Sequence, residues 1–504
     1  MNPNPTQTRI AIIGGGTAGW MSAALLSNFV AGGDFRIELV ESEAIGTVGV
    51  GEATIPQINL YNQALGIDED EFLAATQGSY KLGIEFVDWS RRGHRYMHAF
   101  GEVGRDIGVV PFHHYWHRAR ELGLAGELAA YSLNETAARA GRMQRGPLKT
   151  TNVVPPMPYA FHFDASLYAA YLRRLAEQRG VVRREGRIVS VERDGESGDV
   201  TEVRLESGEA IAADLFLDCS GFRGLLIEET LSTGFHDWSN WLPCDRALAV
   251  PCAAAAELTP YTRSTALEAG WQWRIPLQHR TGNGHVYCSG FTSDEAAAEL
   301  LLAGLDGEAL AEPRPLRFTA GMRRKAWNHN VIAVGLASGF LEPLESTSIH
   351  LVQSALSRLV KMLPRGKGDA AVAAEFNRQA AEEYESIRDF IILHYKATER
   401  DDSAFWRHCA AMPIPDSLAE RISLFREAGH IFRRGEELFT VVGWLQVLVG
   451  QGVLPASHHP LADHVEPADL ESYMQTFEAL MRREAAQMPR HADFIARHGA
   501  AQAA

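Results

Sequence analysis

Near its start the chain carries GGGTAG, residues 14–19, which sets Gly14, Gly16 and Gly19 in G-x-G-x-x-G order. The first glycine of such a run permits a tight turn. The second lets backbone approach a pyrophosphate, and the third lets the following helix pack on a sheet. The helix N-terminus then turns unpaired N–H groups toward phosphate charge. Glu41 closes the next β-branched run, placed to accept hydrogen bonds from ribose hydroxyls. The chemistry of this set is dinucleotide binding. A second glycine-rich stretch, IGTVGVGEATIP over 45–56, can lay small residues against a flat ring system. The later NVIAVGLASGFLEPLEST, 330–347, has the strand–glycine–helix form that brings a helix N-terminus to such a ring. There is a single G-x-G-x-x-G run and no sign of a separate nicotinamide domain, which favours FAD.

Other residues carry chemistry only in context. Lys81 in SYKLGIEF reads from its neighbours as a solvated strand lysine. Glu345 in LEPLESTSIHL reads as a carboxylate favoured at a helix start by the dipole. Thr347 and Ser348 open that helix, where free N–H groups can hold a small anion. His98 and Phe100 in YMHAFGE offer ring surface, with Phe100 either stacking on an aromatic ligand or packing in a core. His113, His114 and His117 in FHHYWHRAR include an i, i+4 pair of the kind that binds metal on a helix. No carboxylate pattern accompanies them, so no metal site is assigned. In GWQWRIPL, Trp271, Trp273 and Ile275 share one face of an extended strand, and Pro276 suits an edge or strand end. Periodicity alone reads that face as core.

These residues need a scaffold. Arg9 to Ile13 predicts a strand, and AGWMSAALLSNF predicts a helix with Trp20, Ala23, Ala24 and Leu26 inward. FRIELVES predicts the second strand, completing a βαβ unit. SYKLGIEFVDW alternates as a strand, and FHFDASLYAAYLRRLAEQ, 161–178, reads as a helix. GRIVSVERD and VTEVRLESGEAIAADLFLDCSG read as strands with polar turns. WQWRIPL and GHVYCSGFTS read as neighbouring strands around the turn HRTGN, 279–283. From about Asp369 onward nearly everything is helical, and LFTVVGWLQVLVGQGVL reads as a buried helix, broken by Gln446, Gly450 and Gln451, rather than a membrane span. The expected class is α/β: an FAD-binding, doubly wound (Rossmann-type) domain with β-sheet insertions and a helical C-terminal lobe. The division falls at 1–395 and 396–504, with the lobe covering the substrate site.

Bulk properties narrow the partners. A chain of 504 residues exceeds one compact core. Its net charge of -15 repels a phosphate backbone, so nucleic-acid binding is not expected. The five cysteines are scattered without a CxxC pair, which argues against a disulfide framework or zinc site and fits a reducing compartment. No basic region precedes an apolar run at the N-terminus, so a secretory signal is not expected and the cytoplasm is.

Taken together, GGGTAGWM, VGVGEATIP, Lys81 in SYKLGIEF, WQWRIP and LEPLESTSIHL resemble the flavin-dependent tryptophan halogenases, in that family's order. The W-x-W-x-I-P signature is specific to flavin-dependent halogenases. The resemblance implies reduced FAD from a separate flavin reductase, oxygen, and chloride or bromide as co-substrate. Hypohalous acid then passes through a tunnel to an electron-rich arene, an indole or tryptophan type, bound away from the flavin. Lys81 and Glu345 take the family's catalytic lysine and glutamate positions. A positive donor can hydrogen-bond the oxygen of hypohalous acid, and a neutral amine can take its halogen; which of the two operates stays open. A carboxylate beside the reacting carbon can stabilise the cationic ring and help remove its proton.

By motif matching, Gly14, Gly15, Gly16, Thr17, Ala18, Gly19, Glu41, Ser42, Ile45, Val48, Val50, Ala53 and Leu336 hold FAD. Ile349 comes near its ring and Val189 near its adenosine side. Thr347 and Ser348 take the halide site, where the family usually has glycine at the position of Ser348. His98, Phe100 and Ser346 take substrate positions. Trp271, Trp273, Ile275 and Pro276 form a wall that keeps organic substrate away from the flavin. The helical lobe, with Trp444, is not aligned residue by residue, so groups for an amino acid's ammonium and carboxylate are unassigned. A homodimer is allowed by analogy of fold. Two other functions fit parts of the pattern: a two-component flavin-dependent aromatic hydroxylase, and a non-catalytic flavin-binding redox protein.

Overall fold

TRIAII, Thr8–Ile13, is a strand because its β-branched residues are buried on both faces, as a central parallel strand requires. In the computed structural model, which describes residues 7–30, 33, 35–45, 51–146, 154–364 and 368–501, it lies at the middle of a six-stranded sheet. The order is Trp327–Asn328, Val331–Ala333, Leu215–Asp218, Thr8–Ile13, Phe35–Glu41, Val182–Glu185, parallel except for the first edge strand. The helix Thr17–Val30 packs on this sheet with Trp20, Ala23, Ala24 and Leu26 buried, as their spacing predicts. Two glycines make that packing possible. Gly14 has φ +113°, and a Cβ there would meet the Cys219 carbonyl oxygen at 2.4 Å. A Cβ on Gly19 would lie 1.8 Å from the Gly14 carbonyl oxygen.

A second, seven-stranded sheet runs Arg314–Arg317, Arg246–Ala253, Arg280–Tyr287, Gly270–Pro276, Thr262–Ala266, Gly83–Val87, Arg95–Ala99. The two-tryptophan strand is therefore interior, hydrogen-bonded on both sides, with Pro276 at its end. A three-stranded sheet, Gly51–Ala53, Ala160–Asp164 and Ser79–Lys81, sits beside it. Lys81 is the last residue of its strand, and Gly83 begins the next.

Three expectations are corrected here. SYKLGIEFVDW is two strands, Ser79–Lys81 and Gly83–Val87, in different sheets. FHFD is strand rather than helix: Ala160–Asp164 pairs with both neighbours, and the helix Ala165–Gln178 starts only after Asp164. The Asp164 carboxylate accepts from the Ser166 and Leu167 N–H groups, so it caps the helix. The turn between the two neighbouring strands also comes earlier than HRTGN, at 277–280. The strand already runs from Arg280, and Leu277 N–H closes the turn on the Arg280 carbonyl at 2.9 Å. Its glycines serve close approach. A Cβ on Gly284 would stand 2.1 Å from the Trp273 ring, so Gly284 makes room for that indole.

Two small three-stranded sheets, one of Ile188–Arg193, Val200–Leu205 and Ala210–Ala212 and one of Phe235–Asp237, Gly321–Arg323 and Gly339–Phe340, complete the β structure. The chain after Asp369 is helical, with Ala370–Lys396, Ala404–Ala411, Asp416–Ala428, Val441–Gly450, Pro467–Gln487 and His491–His498. One apolar core holds residues from Ile10 to Ile495, so these helices share it with the sheets. Among the described residues no helix is long and apolar enough to cross a membrane.

Candidate active site

At the carboxyl ends of the parallel strands a cleft encloses about 520 Å³. Its lining includes Gly14, Gly15, Gly16, Thr17, Ala18, Glu41, Ser42, Ile45, Ala53, Leu336 and Ile349, all expected at a flavin. A Cβ on Gly16 would meet nothing within 4 Å, so bare backbone borders the open cleft there. A dinucleotide fits this cradle of glycine and helix N-terminus. Glu41 already receives hydrogen bonds, from Trp20 Nε1 at 3.3 Å and Arg183 Nε at 2.5 Å. Gly19 lies outside the cleft lining and serves the helix–sheet contact instead. Val189 is also outside it, at 53 % exposure, and its neighbour Ile188 takes the cleft position. Val48 and Val50 lie outside the described residues. Sequence reasoning missed Phe222, Phe340, Thr262 and Tyr384, which also line the cleft from distant segments. It missed Glu52 as well, a cleft residue whose carboxyl burial pushes up to about 7.

Lys81 has no solvent exposure, which corrects its reading as a solvated lysine. Its Nζ donates to Ser346 Oγ at 2.7 Å and stands 5.4 Å from the Phe100 ring centre. Burial pulls its pKa down to about 7, and the nearby Glu345 carboxylate only partly opposes this. Ser346, which also lines the cleft, has φ +58° at the end of the short helix Pro343–Glu345. A side chain in that region is held by its surroundings at a cost of about 1–3 kcal/mol.

Glu345 is turned elsewhere. It is 1 % exposed, absent from the cleft lining, and held between two histidines. His98 Nδ1 donates to Oε2 at 2.7 Å. His394 Nε2 lies 2.8 Å from Oε1, though poorly aligned for a hydrogen bond. His394 Nδ1 and the Tyr96 hydroxyl are 2.9 Å apart. Burial opposes ionisation of Glu345, but His98 and His394 outweigh it and hold the carboxyl well below the usual range. His98 therefore meets Glu345 by its edge, beyond the ring surface expected of it. His394 and Tyr96 were not foreseen, because nothing in the local sequence marks them.

Thr347 and Ser348 stand where expected, at the start of the helix Ser348–Lys361. Ser348 borders the cleft. Thr347 is fully buried, and its Oγ1 has no partner among the described residues. On the far side of Glu345 lies an aromatic group. Phe390 and Phe439 stack at 3.7 Å between centres, 5.4 and 6.0 Å from His98. Trp444 meets Phe390 edge-on at 4.8 Å and stands 4.1 Å from the Arg421 guanidinium. The predicted wall divides. Trp273 and Ile275 line the cleft, while Trp271 and Pro276 do not. His113 and His114 belong to a histidine cluster with His430 and His459, and among the described residues no three His, Cys, Asp or Glu side chains form a metal-holding group.

Comparison with known proteins bears on this arrangement. The tryptophan halogenase family model matches residues 9–467. A flavin-dependent halogenase of Xanthomonas campestris is 48 % identical, with a TM-score of 0.96 and 99 % of each chain covered. The flavin-dependent halogenase BrvH of Brevundimonas sp. BAL3 is 43 % identical, with a TM-score of 0.95, covering 98 % of this chain and 100 % of that one. The tryptophan 7-halogenase RebH of Lentzea aerocolonigenes is 36 % identical over 516 residues, covering 94 % of this chain and 95 % of RebH.

Proposed function

The chain belongs to the tryptophan halogenase family of flavin-dependent enzymes, and on that premise we propose that it halogenates an indole-type arene with chloride or bromide. Reduced FAD comes from a separate flavin reductase. When bound, that flavin supplies the electrons with which oxygen and halide become hypohalous acid. Gly14 to Ala18, Glu41, Ser42, Ile45, Ala53, Leu336 and Ile349 hold the cofactor. Thr347 Oγ1 and the N–H groups opening the helix at Ser348 hold the halide. Trp273 and Ile275 occupy cleft space that a hydroxylase gives to its arene. Residues 396–504 form the lobe that completes the substrate side with Phe439 and Trp444.

The observation that carries this reading is the pair Glu345–Ser346. Ser346 faces the cleft and binds Lys81, while Glu345 faces away toward His98 and the aromatic group. Halide oxidation and arene substitution thus have separate places, joined by Lys81. Lys81 is the hydrogen-bond donor to the electrophile, or, as the neutral amine its lowered pKa permits, its acceptor. Glu345 stabilises the positive charge that develops on the ring and takes the proton from the substituted carbon. The arene packs among His98, Phe100, Phe390 and Phe439, which lie around Glu345 and Lys81 through His98 and the Phe100 ring.

The test supplies reduced FAD, oxygen and bromide or chloride to a panel of indoles, read by mass spectrometry with a hypohalite scavenger present. Wild type is expected to give the halogen isotope pattern. Lys81→Ala should abolish it with flavin binding retained, and Glu345→Gln should lower turnover by about 10²-fold, as for loss of a general base. Oxygen insertion independent of halide would replace this reading with a hydroxylase. A halogen pattern that survives Lys81→Ala and the scavenger would remove Lys81 from the mechanism.

A further inference from the structure

The two tryptophans of the signature strand differ in what they touch. Trp273 faces the cleft. Trp271 is completely buried, outside the cleft lining, and its Nε1 donates to Glu342 Oε2 at 2.9 Å. The same carboxyl oxygen accepts from the Tyr395 hydroxyl at 2.5 Å. Glu342 is itself fully buried, and Oε1 has no partner among the described residues. A core position that needed only bulk would not retain a carboxyl, since burying one costs several kcal/mol unless its partners compensate.

The location of Glu342 gives the network its meaning. It immediately precedes the short helix Pro343–Glu345, which ends in Ser346 at φ +58°. That loop presents Ser346 to Lys81 and Glu345 to His98. Trp271 anchors the loop from the middle of a sheet. Tyr395 anchors it from the helix Ala370–Lys396, one residue after His394, which contacts Glu345. Two donors from two rigid elements therefore converge on one oxygen at the root of the active loop.

We infer that Trp271 and Tyr395 are positioning residues, which act through Glu342 to set Ser346 and Glu345 relative to Lys81 and so commit the halogenating species to the arene. This rests on the function proposed above. Burial pushes the Glu342 carboxyl up to about 7, with the Tyr395 and Trp271 hydrogen bonds opposing it. The protonated acid is closely mimicked by glutamine, whose carbonyl oxygen can accept from both donors.

The experiment compares Trp271→Phe, Trp273→Phe, Glu342→Ala and Glu342→Gln in the full chain. Two readouts are taken: amide exchange over 341–349, and the share of hypohalous acid reaching the indole rather than a diffusible trap. Trp271→Phe keeps an aromatic ring and removes the donor. It should speed exchange in the loop about tenfold and cut the captured share about fivefold, while total oxidant stays near wild type and the protein still unfolds cooperatively at a Tm lowered by a few degrees. Glu342→Ala should do the same or more, and Glu342→Gln should restore wild-type behaviour. Unchanged loop exchange in Trp271→Phe overturns the tether. Faster exchange with an unchanged captured share overturns the positioning role. Loss in Trp273→Phe alone assigns the effect to the cleft wall and likewise overturns it. A wild type that oxidises halide but captures none on any indole contradicts the proposed function, while the exchange data still decide the tether.

Discussion

Lys81 combines an ammonium with full burial, and the conflict has a thermodynamic consequence. Its folded pKa is pulled from the ordinary lysine value of 10.5 down to about 7 by burial. Below pH 7 both folded and unfolded chains carry the proton, and the destabilisation by the buried charge is complete. Between pH 7 and about 10.4 the unfolded chain binds more proton, so stability rises with pH. Above that range both forms are neutral and the effect is gone. Lys81→Met should therefore stabilise the protein at pH 6 by about 3 kcal/mol, after allowing for the lost Ser346 hydrogen bond. The gain should shrink as pH rises and turn into a loss of about 1 kcal/mol by pH 10.5, where only the missing Ser346 hydrogen bond remains, measured by urea unfolding across that range. An equal gain at both pH values would show that the ammonium is not the destabilising feature.

At the scale of the element, the glycines of the first loop divide their tasks. Gly19 is required by the helix–sheet contact, since its Cβ would overlap the Gly14 carbonyl. Gly16 borders open cleft and clashes with no protein atom. Gly19→Ala should lower Tm and flavin affinity together. Gly16→Ala should leave Tm within about 2 °C, the shift expected of well under 1 kcal/mol in a chain this long, yet weaken FAD binding at least tenfold in a fluorescence titration. Equal losses of Tm in the two variants would contradict this division. The same element-level logic explains why HRTGN was misread. Glycine marks turns in sequence, but Gly282 and Gly284 mark close approach, to Gly51 and to Trp273.

For the whole molecule, the helical lobe and the α/β part share one core. Phe405, Trp406, Trp444 and Leu448 belong to the same apolar cluster as Ile10 and Trp20. A chain ending at residue 395 would expose that surface. It is expected to lack cooperative thermal unfolding and near-UV dichroism, whereas an independently folding part would retain both. The lobe also contributes Phe439 and Trp444 to the proposed substrate side.

The βαβ start, the dinucleotide cleft and the helix N-terminus at Ser348 were legible in sequence because each depends on neighbours within a few residues: glycine φ, strand alternation, and unpaired N–H groups. Lys81 and Glu345 are singled out by motif resemblance, not by local physics. Their state was not. Lys81 meets Ser346 across 265 positions, His98 meets Glu345 across 247, and Trp271 meets Glu342 across 71. Burial, partner and charge state arise where such distant segments pack, and no local pattern encodes them. Residue order alone dictates which chemical groups the protein owns and the glycine turn of residues 14–19. Which of those groups lose water is settled by packing, because desolvation depends on everything around a side chain. That separated Trp271 from Trp273, and turned an ordinary lysine into a buried one titrating near neutrality.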